Sequence, residues 1–510
     1  MASGSERICV VIGRTRHKMM QMEIQEAARR GARLIELRLD FLSKAPDFGR
    51  LLENKPCPLV ATVRRPEHGG RWSGTEAARQ ALLRQAIVGG FDWVDLETDV
   101  ADSIRRFKDV RRIVSYHNMD EVPDDLEQIH ARMCRQDADV VKIAVRARGP
   151  SDNLRVLKLL ENSPRPTTAF CMGDMGLPSR ILGAKYGAPF TYAAFNKERG
   201  IAPGLPSFDE MRRVYHYDRV NADTRVLGVI GDPVGHSLSP VLHNAALHSL
   251  RHNAVYLPFR VPRGELEEFL KEFDSLPVHG YSVTIPHKEA AAALAHERDA
   301  GVALTQAANT LVRIGGGFSA YNTDFQAAVE SLLSNMPNNP DGSPPTLGSK
   351  AVLILGAGGA ARAVAHAIRR EGALLILTNR SFDRAHKLAE ELNSRAVPWD
   401  ARHSVLCDVV VNCTSLGMHP NVDEIPLHPS FLKPGLVVFD IIYTPETTLL
   451  VREARTRGCH VITGIDMFVR QAAAQFRLFT GAEPPVEYMR TVLRRALSPV
   501  SLKGPEELKK

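Results

Sequence analysis

Between residues 8 and 194 of this 510-residue chain, eight short apolar or β-branched runs recur: Ile8 to Ile12, Arg33 to Leu39, Leu59 to Val63, Trp93 to Leu96, Ile113 to Tyr116, Val140 to Val145, Thr167 to Cys171 and Phe190 to Ala194. Segments with helical periodicity, such as Met22 to Arg30, Ala77 to Val88 and Leu154 to Glu161, lie between most of them. Strand and helix therefore alternate, and alternation favours parallel strands joined by crossovers. Eight such units in about 220 residues predict a closed (β/α)8 barrel, a TIM barrel. An open doubly wound sheet is the alternative that the same pattern permits.

A second start follows. Val226 to Ile230 and then Gly231-Asp232-Pro233 open a new alternation of strands and helices that runs to about residue 334. The segment from Asn335 to Lys350, NMPNNPDGSPPTLGSK, has almost nothing to bury and reads as a surface loop separating two lobes. Beyond it, Ala351 to Leu355 is a buried-strand pattern leading into GAGGAARA, and alternation continues to Val461-Ile462 before helical segments finish the chain. The expected parcelling of this α/β chain is a barrel over 1–220, two further lobes over 225–335 and 350–475, and C-terminal helices over 476–510 packing back on the first of those lobes.

Lys and Arg number 65 against 58 Asp and Glu, a net charge of +7, but the basic residues are scattered, with no long Lys/Arg block or aromatic-interleaved stripe. That distribution points to small anionic ligands and away from nucleic acid. No uninterrupted apolar stretch is long enough to cross a bilayer. Met1 to Arg7 is short and polar and leads directly into the first run, leaving no room for a signal or transit peptide, so the cytoplasm is the expected address. The seven cysteines, at 9, 57, 134, 171, 407, 413 and 459, form no CxxC pair and no metal-ligand spacing. Neither a disulfide framework nor a metal site is expected.

Lys142 stands inside the apolar run DVVKIAV, where a charged amine is costly. In a strand it shares a face with Val140 and Ala144, and a partly neutral amine facing a barrel interior can attack a ketone and form a Schiff base. An ion-paired or snorkelling lysine is the structural alternative. His117 ends the preceding run, IVSYHN, at the edge where barrel active sites are built, and could serve as a general base or as a structural hydrogen-bonding group. Glu36 and Arg38 in IELRLD are two apart, so both point inward if Leu37 and Leu39 pack outward. Such a pair can hold substrate hydroxyls or form an internal ion pair.

Taken together, IELRLD, ATVRR followed by Gly69-Gly70, WVDLE, IVSYHN, VVKIAV, MGLPSR and IAPG resemble type I 3-dehydroquinate dehydratase across nearly all of Met1 to Asp218. The resemblance implies Lys142 as the Schiff-base lysine, His117 as the general acid/base, Glu36, Arg38 and Arg64 as hydroxyl binders and Arg180 as the clamp on the substrate carboxylate. Three positions depart from the family's usual pattern: His68, where it has Glu before the Gly-Gly pair, and Ile201 and Leu205, where a hydroxyl and an amide are replaced by aliphatic groups.

In the C-terminal half, GAGGAA at Gly356 to Ala361 follows an apolar strand and opens a helix, so backbone N–H groups of Gly356, Ala357, Gly358, Gly359 and Ala360 can face a pyrophosphate. About twenty residues later a strand ends at Asn379-Arg380-Ser381, with Arg384 one turn on. An acidic residue there would bind a ribose 2′-hydroxyl. Arg380, Ser381 and Arg384 instead suit a 2′-phosphate, so NADP is expected over NAD. In GHSLSPVLHNAAL, Ser239 is expected to cap a helix that has Pro240 at its first position, which leaves Ser237 unexplained. Lys288 in YSVTIPHK and Asp324 in AYNTD could together pass a proton to a carbonyl oxygen, or form an ordinary salt bridge.

SLSP, VTIPHK, AANT, YNTD, GAGGAARA, NRS, NCTSLGM and GIDMFVRQA, in this order, resemble shikimate dehydrogenase over residues 225 to 495. This implies that 225–335 is a substrate lobe and 350–475 a Rossmann NADP-binding lobe, with Lys288 and Asp324 as the catalytic pair. Ser237, Ser239, Thr284, Asn309, Tyr443 and Gln471 would hold the substrate, and Thr414, Gly464 and Met467 would line the nicotinamide side. Ala327 departs from the family's common glycine, and its methyl could crowd the nearby helix start. The two halves together look like the bifunctional shikimate-pathway fusion best known from plants, in which 3-dehydroquinate, 3-dehydroshikimate and shikimate are the small carboxylate substrates and products. Two other readings stay open: a quinate or shikimate dehydrogenase with an impaired barrel, and a metabolite-sensing regulator.

Overall fold

The computed structural model describes residues 7–199, 201, 204–339 and 341–498. The chain divides into two compact units, Met1–Gly228 with Asp232–His236 and Arg251–Val278, and Val229–Gly231 with Ser237–Leu250 and His279–Lys510.

All eight N-terminal runs are strands, with ends within two residues of the sequence pattern: β1 (Ile8–Ile12), β2 (Leu34–Arg38), β3 (Leu59–Thr62), β4 (Trp93–Glu97), β5 (Arg111–Asn118), β6 (Val140–Arg146), β7 (Thr167–Met172) and β8 (Thr191–Ala194). They lie in chain order from β1 to β7, all parallel, and β8 pairs back onto β1. Among the described residues no ladder joins β7 to β8, so the barrel is nearly closed rather than closed. β8 is only four residues long, and that seam is bridged by the Thr168 hydroxyl donating to the Phe190 carbonyl at 2.7 Å. The β4–β5 connection carries a 3-10 turn, Ala101–Ser103, in place of a helix.

Strand periodicity sorts the barrel interior by depth. Along alternate residues the inward rows read Leu34, Glu36, Arg38 on β2, Trp93, Asp95, Glu97 on β4, Ile113, Ser115, His117 on β5, and Val140, Lys142 on β6. The first member of each row joins an apolar cluster with Cys9, Val60, Phe170 and Tyr192. The later members bring charge to the C-terminal ends of the strands, where loops can reach it.

The next six strands, β9 (Arg225–Gly231), β10 (Ala254–Arg260), β11 (Val278–Val283), β12 (Glu297–Arg298), β13 (Thr310–Ile314) and β14 (Gly317–Tyr321), form a mixed sheet in the order β10-β9-β11-β13-β14-β12. The last six, β15 (Ala351–Leu355), β16 (Leu374–Thr378), β17 (Arg395–Ala396), β18 (Val409–Asn412), β19 (Val437–Asp440) and β20 (His460–Thr463), form a parallel sheet in the order β17-β16-β15-β18-β19-β20. That order reverses between β15 and β18, which is where open parallel sheets take ligands. Val352 and Ile354 face one apolar cluster and Leu353 and Leu355 the other, the pattern of a strand covered on both faces.

Residues 336–339 and 341–350 contain no regular element, as the sequence indicates, but Leu347 is buried in the core beside β15. The segment is therefore anchored at one point. The boundary placed at 475 falls inside the helix Gly464–Thr480, and the helix Val486–Leu497 packs against the helix Ser239–Ser249. Residues 499–510 of that expected C-terminal segment lie outside the described residues.

Candidate functional site

The barrel site is built around Lys142. Its Nζ donates to Asp95 Oδ2 at 3.0 Å and to Glu36 Oε2 at 3.3 Å, and lies 4.0 Å from the centre of the Tyr192 ring. Arg64 reaches the same Asp95 oxygen at 2.8 Å and donates to Ser115 Oγ at 2.9 Å, while Ser115 donates to Asp95 Oδ1 at 2.6 Å. Burial pushes the Asp95 carboxyl up, but the charges of Arg64 and Lys142 outweigh it and hold the group well below the usual carboxylate range. The lysine is thus both buried and bonded to two carboxylates.

His117 lies on the same inward row as Ser115, whose register partner is Lys142. Burial, then the positive charges of Arg64 and Lys142, push its imidazole well below the usual histidine range, so the ring is neutral at pH 7. Its Nδ1 has no hydrogen-bond partner among the described residues. Glu36 and Arg38 share the inward row, as expected, but the ion pair between them does not form. Arg38 instead makes a two-point bond to Asp40, at 2.9 and 2.8 Å, and donates to the Gly69 carbonyl at 3.2 Å. Asp40 is buried two residues along and offers both oxygens to the guanidinium fork, leaving Glu36 to Lys142.

Arg180 is 3% exposed and faces no carboxylate among the described residues. It lies 3.9 Å from the Phe170 ring and makes one long bond, 3.4 Å, to the Tyr192 carbonyl. Burial lowers its guanidinium to about 10, so it remains a cation without a counter-ion. Arg180→Leu is expected to raise the unfolding midpoint of the ligand-free protein. If Arg180 is the carboxylate clamp that the resemblance implies, the same change should weaken a carboxylate ligand by about 2–5 kcal/mol, or about 30- to 4,000-fold in half-saturation. Thermal unfolding and dehydration kinetics on the same preparation check both signs.

The glycine pair after β3 has a steric reason. Gly69 has φ +77, and a Cβ on Gly70 would sit 1.9 Å from the Arg64 carbonyl oxygen. The chain therefore folds back tightly on β3, which brings His68 Nδ1 within 2.9 Å of Glu97 Oε1. Ile201 and Leu205 pack against the apolar cluster of the barrel. Ala202 and Pro203 of the same motif lie outside the described residues.

In the second unit, Lys288 opens the helix Lys288–Leu294, Asp324 lies in the first turn of the helix Thr323–Asn335, and Lys288 Nζ donates to Asp324 Oδ2 at 2.6 Å. The Lys288 carbonyl accepts from Ala308 N, and Asn309 Oδ1 accepts from Thr323 N at 2.9 Å, so the loop before β13 locks the two helix starts together. Asn309 also donates to Thr323 Oγ1 and accepts from Thr310 Oγ1, which leaves one amide hydrogen for a ligand. Gln475 bonds Asn309 and Thr310, and Gln471 sits one turn earlier on the same helix, its Nε2 donating to the Phe468 carbonyl. Tyr443 packs on Phe468 with ring centres 4.3 Å apart and planes inclined by 33°.

The expected Ser239 cap is corrected. Leu238 occupies the cap position, Ser239 is the first helical residue, and Ser237 Oγ accepts the Ser239 N–H at 3.3 Å. One backbone donor at this helix start is therefore satisfied by Ser237. Thr284 lies just beyond the end of β11, its backbone N–H donating to the Ile230 carbonyl.

At the switch point of the parallel sheet, Gly356 has φ +115, and a Cβ there would meet the Cys413 carbonyl at 2.9 Å. Gly358 caps the helix Gly359–Arg370, and a Cβ built on Gly358 or Gly359 meets nothing within 4 Å. This is an open cradle at a helix N-terminus, suited to a pyrophosphate. Asn379 donates to the Ser381 carbonyl, while Arg380, Ser381 and Arg384 are exposed and neither arginine has a carboxylate partner among the described residues. The donor set therefore fits a 2′-phosphate.

Gly464 and Met467 are held by packing. A Cβ on Gly464 would lie 2.4 Å from the Ile441 carbonyl, and Met467 belongs to the apolar core. Ala327 lies in that same core, 3% exposed, so its methyl fills space there.

Thr414 donates to Asn412 Oδ1 at 2.7 Å, and Asn412 donates in turn to Asp440 Oδ1 at 3.0 Å. Burial raises the Asp440 carboxyl to about 6 despite bonds from Thr448, Ile442 N and Asn412. The folded state thus binds this proton more tightly than the unfolded chain, so its stabilisation is complete below about pH 4 and is lost as pH rises through about 6. Asp440→Asn is expected to flatten the fall in unfolding midpoint between pH 4.5 and 7, a contribution of about 3 kcal/mol. Thermal unfolding at several pH values in that window would show an unchanged slope if the assignment were wrong.

With this geometry in place, comparisons with known proteins bear on the family. Residues 8–222 match the model for type I 3-dehydroquinase, 229–311 that for the shikimate dehydrogenase substrate-binding domain, 342–433 that for shikimate/quinate 5-dehydrogenase, and 464–494 that for the shikimate 5′-dehydrogenase C-terminal domain. The chain is 36% identical over 501 residues to the chloroplastic bifunctional 3-dehydroquinate dehydratase/shikimate dehydrogenase of Arabidopsis thaliana, covering 94% of this chain and 83% of that one. It belongs to this bifunctional family. Its second half is 41% identical over 290 residues to the NADP(+) shikimate dehydrogenase of Moorella thermoacetica, covering 55% of this chain and 96% of that one. A crystal structure of a shikimate dehydrogenase in complex with NADP+ superposes with a TM-score of 0.51 at 34% identity, covering 55% of this chain and 98% of that one.

The sequence points to Lys142, His117, Glu36, Arg38, Arg64 and Arg180, and the structure adds Asp95, Glu97, Ser115 and Tyr192 to the same cluster. Asp95 and Glu97 carry the same two-residue spacing in WVDLE that singled out Glu36 and Arg38 in IELRLD. That signal was available. Asp440 and Asn412 were missed because nothing local marks a residue that acts by holding another. Among the described residues no helix is long and apolar enough to cross a membrane, and no cluster of three potential ligands could hold a metal ion.

Proposed function

We propose that residues 1–220 dehydrate 3-dehydroquinate through an imine on Lys142, and that 225–335 and 350–475 reduce the product to shikimate with NADPH. The observation that carries the first step is the buried Lys142 amine held by the carboxylates of Asp95 and Glu36, with the neutral imidazole of His117 in the same cluster. Lys142, relieved of a proton, attacks the C3 ketone, and loss of water leaves an iminium. His117 removes the C2 proton, the electrons pass to the iminium nitrogen, and the enamine then expels the C1 hydroxyl with a proton returned by His117. Water hydrolyses the imine and restores the amine. Glu36, Arg38 and Arg64 hold hydroxyls, and Arg180 takes the substrate carboxylate as its counter-ion.

In the second site Ser237, Ser239, Thr284, Asn309, Tyr443 and Gln471 hold substrate. Lys288 and Asp324 deliver a proton to the carbonyl oxygen. The cofactor would rest on Gly356 to Ala360, with its 2′-phosphate on Arg380, Ser381 and Arg384 beside Asn379, and with Thr414, Gly464 and Met467 on its nicotinamide side. It supplies a hydride. A cytoplasmic address and ligands confined to small carboxylates complete the proposal.

The deciding experiment gives the full chain 3-dehydroquinate without nicotinamide cofactor and follows enone absorbance. A rise supports the dehydratase reading. No rise, with 3-dehydroshikimate still reduced by NADPH, would favour the second reading, a dehydrogenase with an impaired barrel. Its support is the aliphatic packing of Ile201 and Leu205 at the barrel's apolar cluster.

A further inference from the structure

We propose that His68, fixed by Glu97, is a positioning residue for the dehydratase that sets the basicity of His117 through its own charge. The inference rests on the dehydratase reading above. The His68 and His117 rings lie 6.0 Å apart between centres and are inclined by 25°, close enough for one charge to be felt at the other. Because Nδ1 of His117 has no hydrogen-bond partner among the described residues, no neighbour fixes its proton affinity through that nitrogen. Burial and nearby charge are left to do so, and His68 is one of the charges that oppose its protonation.

The charged groups around the two rings are few and mostly invariant. Glu97 takes His68 on one oxygen at 2.9 Å and is also paired with Arg79 at 2.7 Å, Arg65 at 2.8 Å and Arg64 at 3.4 Å. Burial pushes its carboxyl up, but the bond to His68 and the three guanidiniums outweigh that and leave it at about 2. Glu67 lies on the 3-10 turn of His68 itself and pairs with Arg65 at 3.6 Å. Asp95, Lys142 and Arg64 face His117 from β4, β6 and the end of β3. Arg64 and Arg65 stay charged and Asp95 and Glu97 stay ionised across the working range. An imidazole is the side chain whose charge ordinarily changes there. Its Nδ1 bonds the Glu97 carboxylate and so carries a hydrogen, which leaves Nε2 as the open nitrogen. A proton on His68 opposes a second one on His117 and weakens the base that must take the C2 proton.

The test is the pH profile of kcat/KM for dehydration by the full chain carrying no change, His68→Gln or His68→Glu. Glutamine keeps a donor for Glu97 without a titratable charge. Glutamate reverses the charge. The acidic limb is expected to move to higher pH in the order wild type, His68→Gln, His68→Glu, by about one unit for each unit of charge removed or reversed. Borohydride trapping of the imine on Lys142 is run in all three, and NADPH-dependent reduction should not change. Coincident acidic limbs with trapping intact would overturn the proposal, as would equal loss of rate at every pH in both variants, which is what a purely structural role gives. Failure of trapping in the wild type would overturn the dehydratase reading and this inference with it.

Discussion

Lys142→Arg is expected to abolish dehydration of 3-dehydroquinate, lowering turnover by at least about 10⁴-fold, while leaving NADPH-dependent reduction of 3-dehydroshikimate unchanged. The substitution keeps a cation between Glu36 and Asp95, so the buried charges remain compensated, but a guanidinium offers no free amine for imine formation. Lys142→Ala should lose the same activity and in addition destabilise the barrel by about 3–5 kcal/mol, because it leaves buried carboxylates short of a partner. Comparing the two separates chemistry from folding. Enone absorbance and the mass of the borohydride-treated peptide containing residue 142 report the result, and Lys142→Arg dehydrating within tenfold of the wild type would sink the imine mechanism.

That experiment isolates a group the sequence made visible for a physical reason. A lysine amid Val140, Val141, Ile143 and Ala144 breaks a pattern that is otherwise uniform, and the eight runs around it fixed both the barrel and the face from which it points. Register was legible to that extent because strand period is two. Seam closure was not, since whether β7 meets β8 depends on the length of one four-residue strand and on a side-chain bond from Thr168. The partner of Arg38 was equally hidden: Glu36 and Asp40 are both two residues away, and three-dimensional competition from Lys142 decides between them. Likewise, the sequence points to Ser239 as the cap and leaves Ser237 unexplained, whereas the helix starts one residue earlier and it is the Ser237 hydroxyl that accepts a backbone N–H. Patterns of one element were readable. Choices between neighbouring acceptors were not.

The second large effect is expected at the Lys288–Asp324 pair. Each of Lys288→Ala and Asp324→Asn should lower turnover of 3-dehydroshikimate reduction by about 10²–10⁴-fold, with half-saturation for NADPH little changed. The two groups share one 2.6 Å bond, so they act on a single proton rather than as independent contributors. Losing either removes the donor or the group that orients it. The double variant should therefore be barely slower than the worse single one, far from the product of the two losses. Dehydration by the barrel should proceed at the wild-type rate in all three, which makes the same preparation its own control for intact protein. Losses that multiply would mean that Lys288 and Asp324 serve separate steps, and an ordinary salt bridge would show neither a large loss nor a coupling.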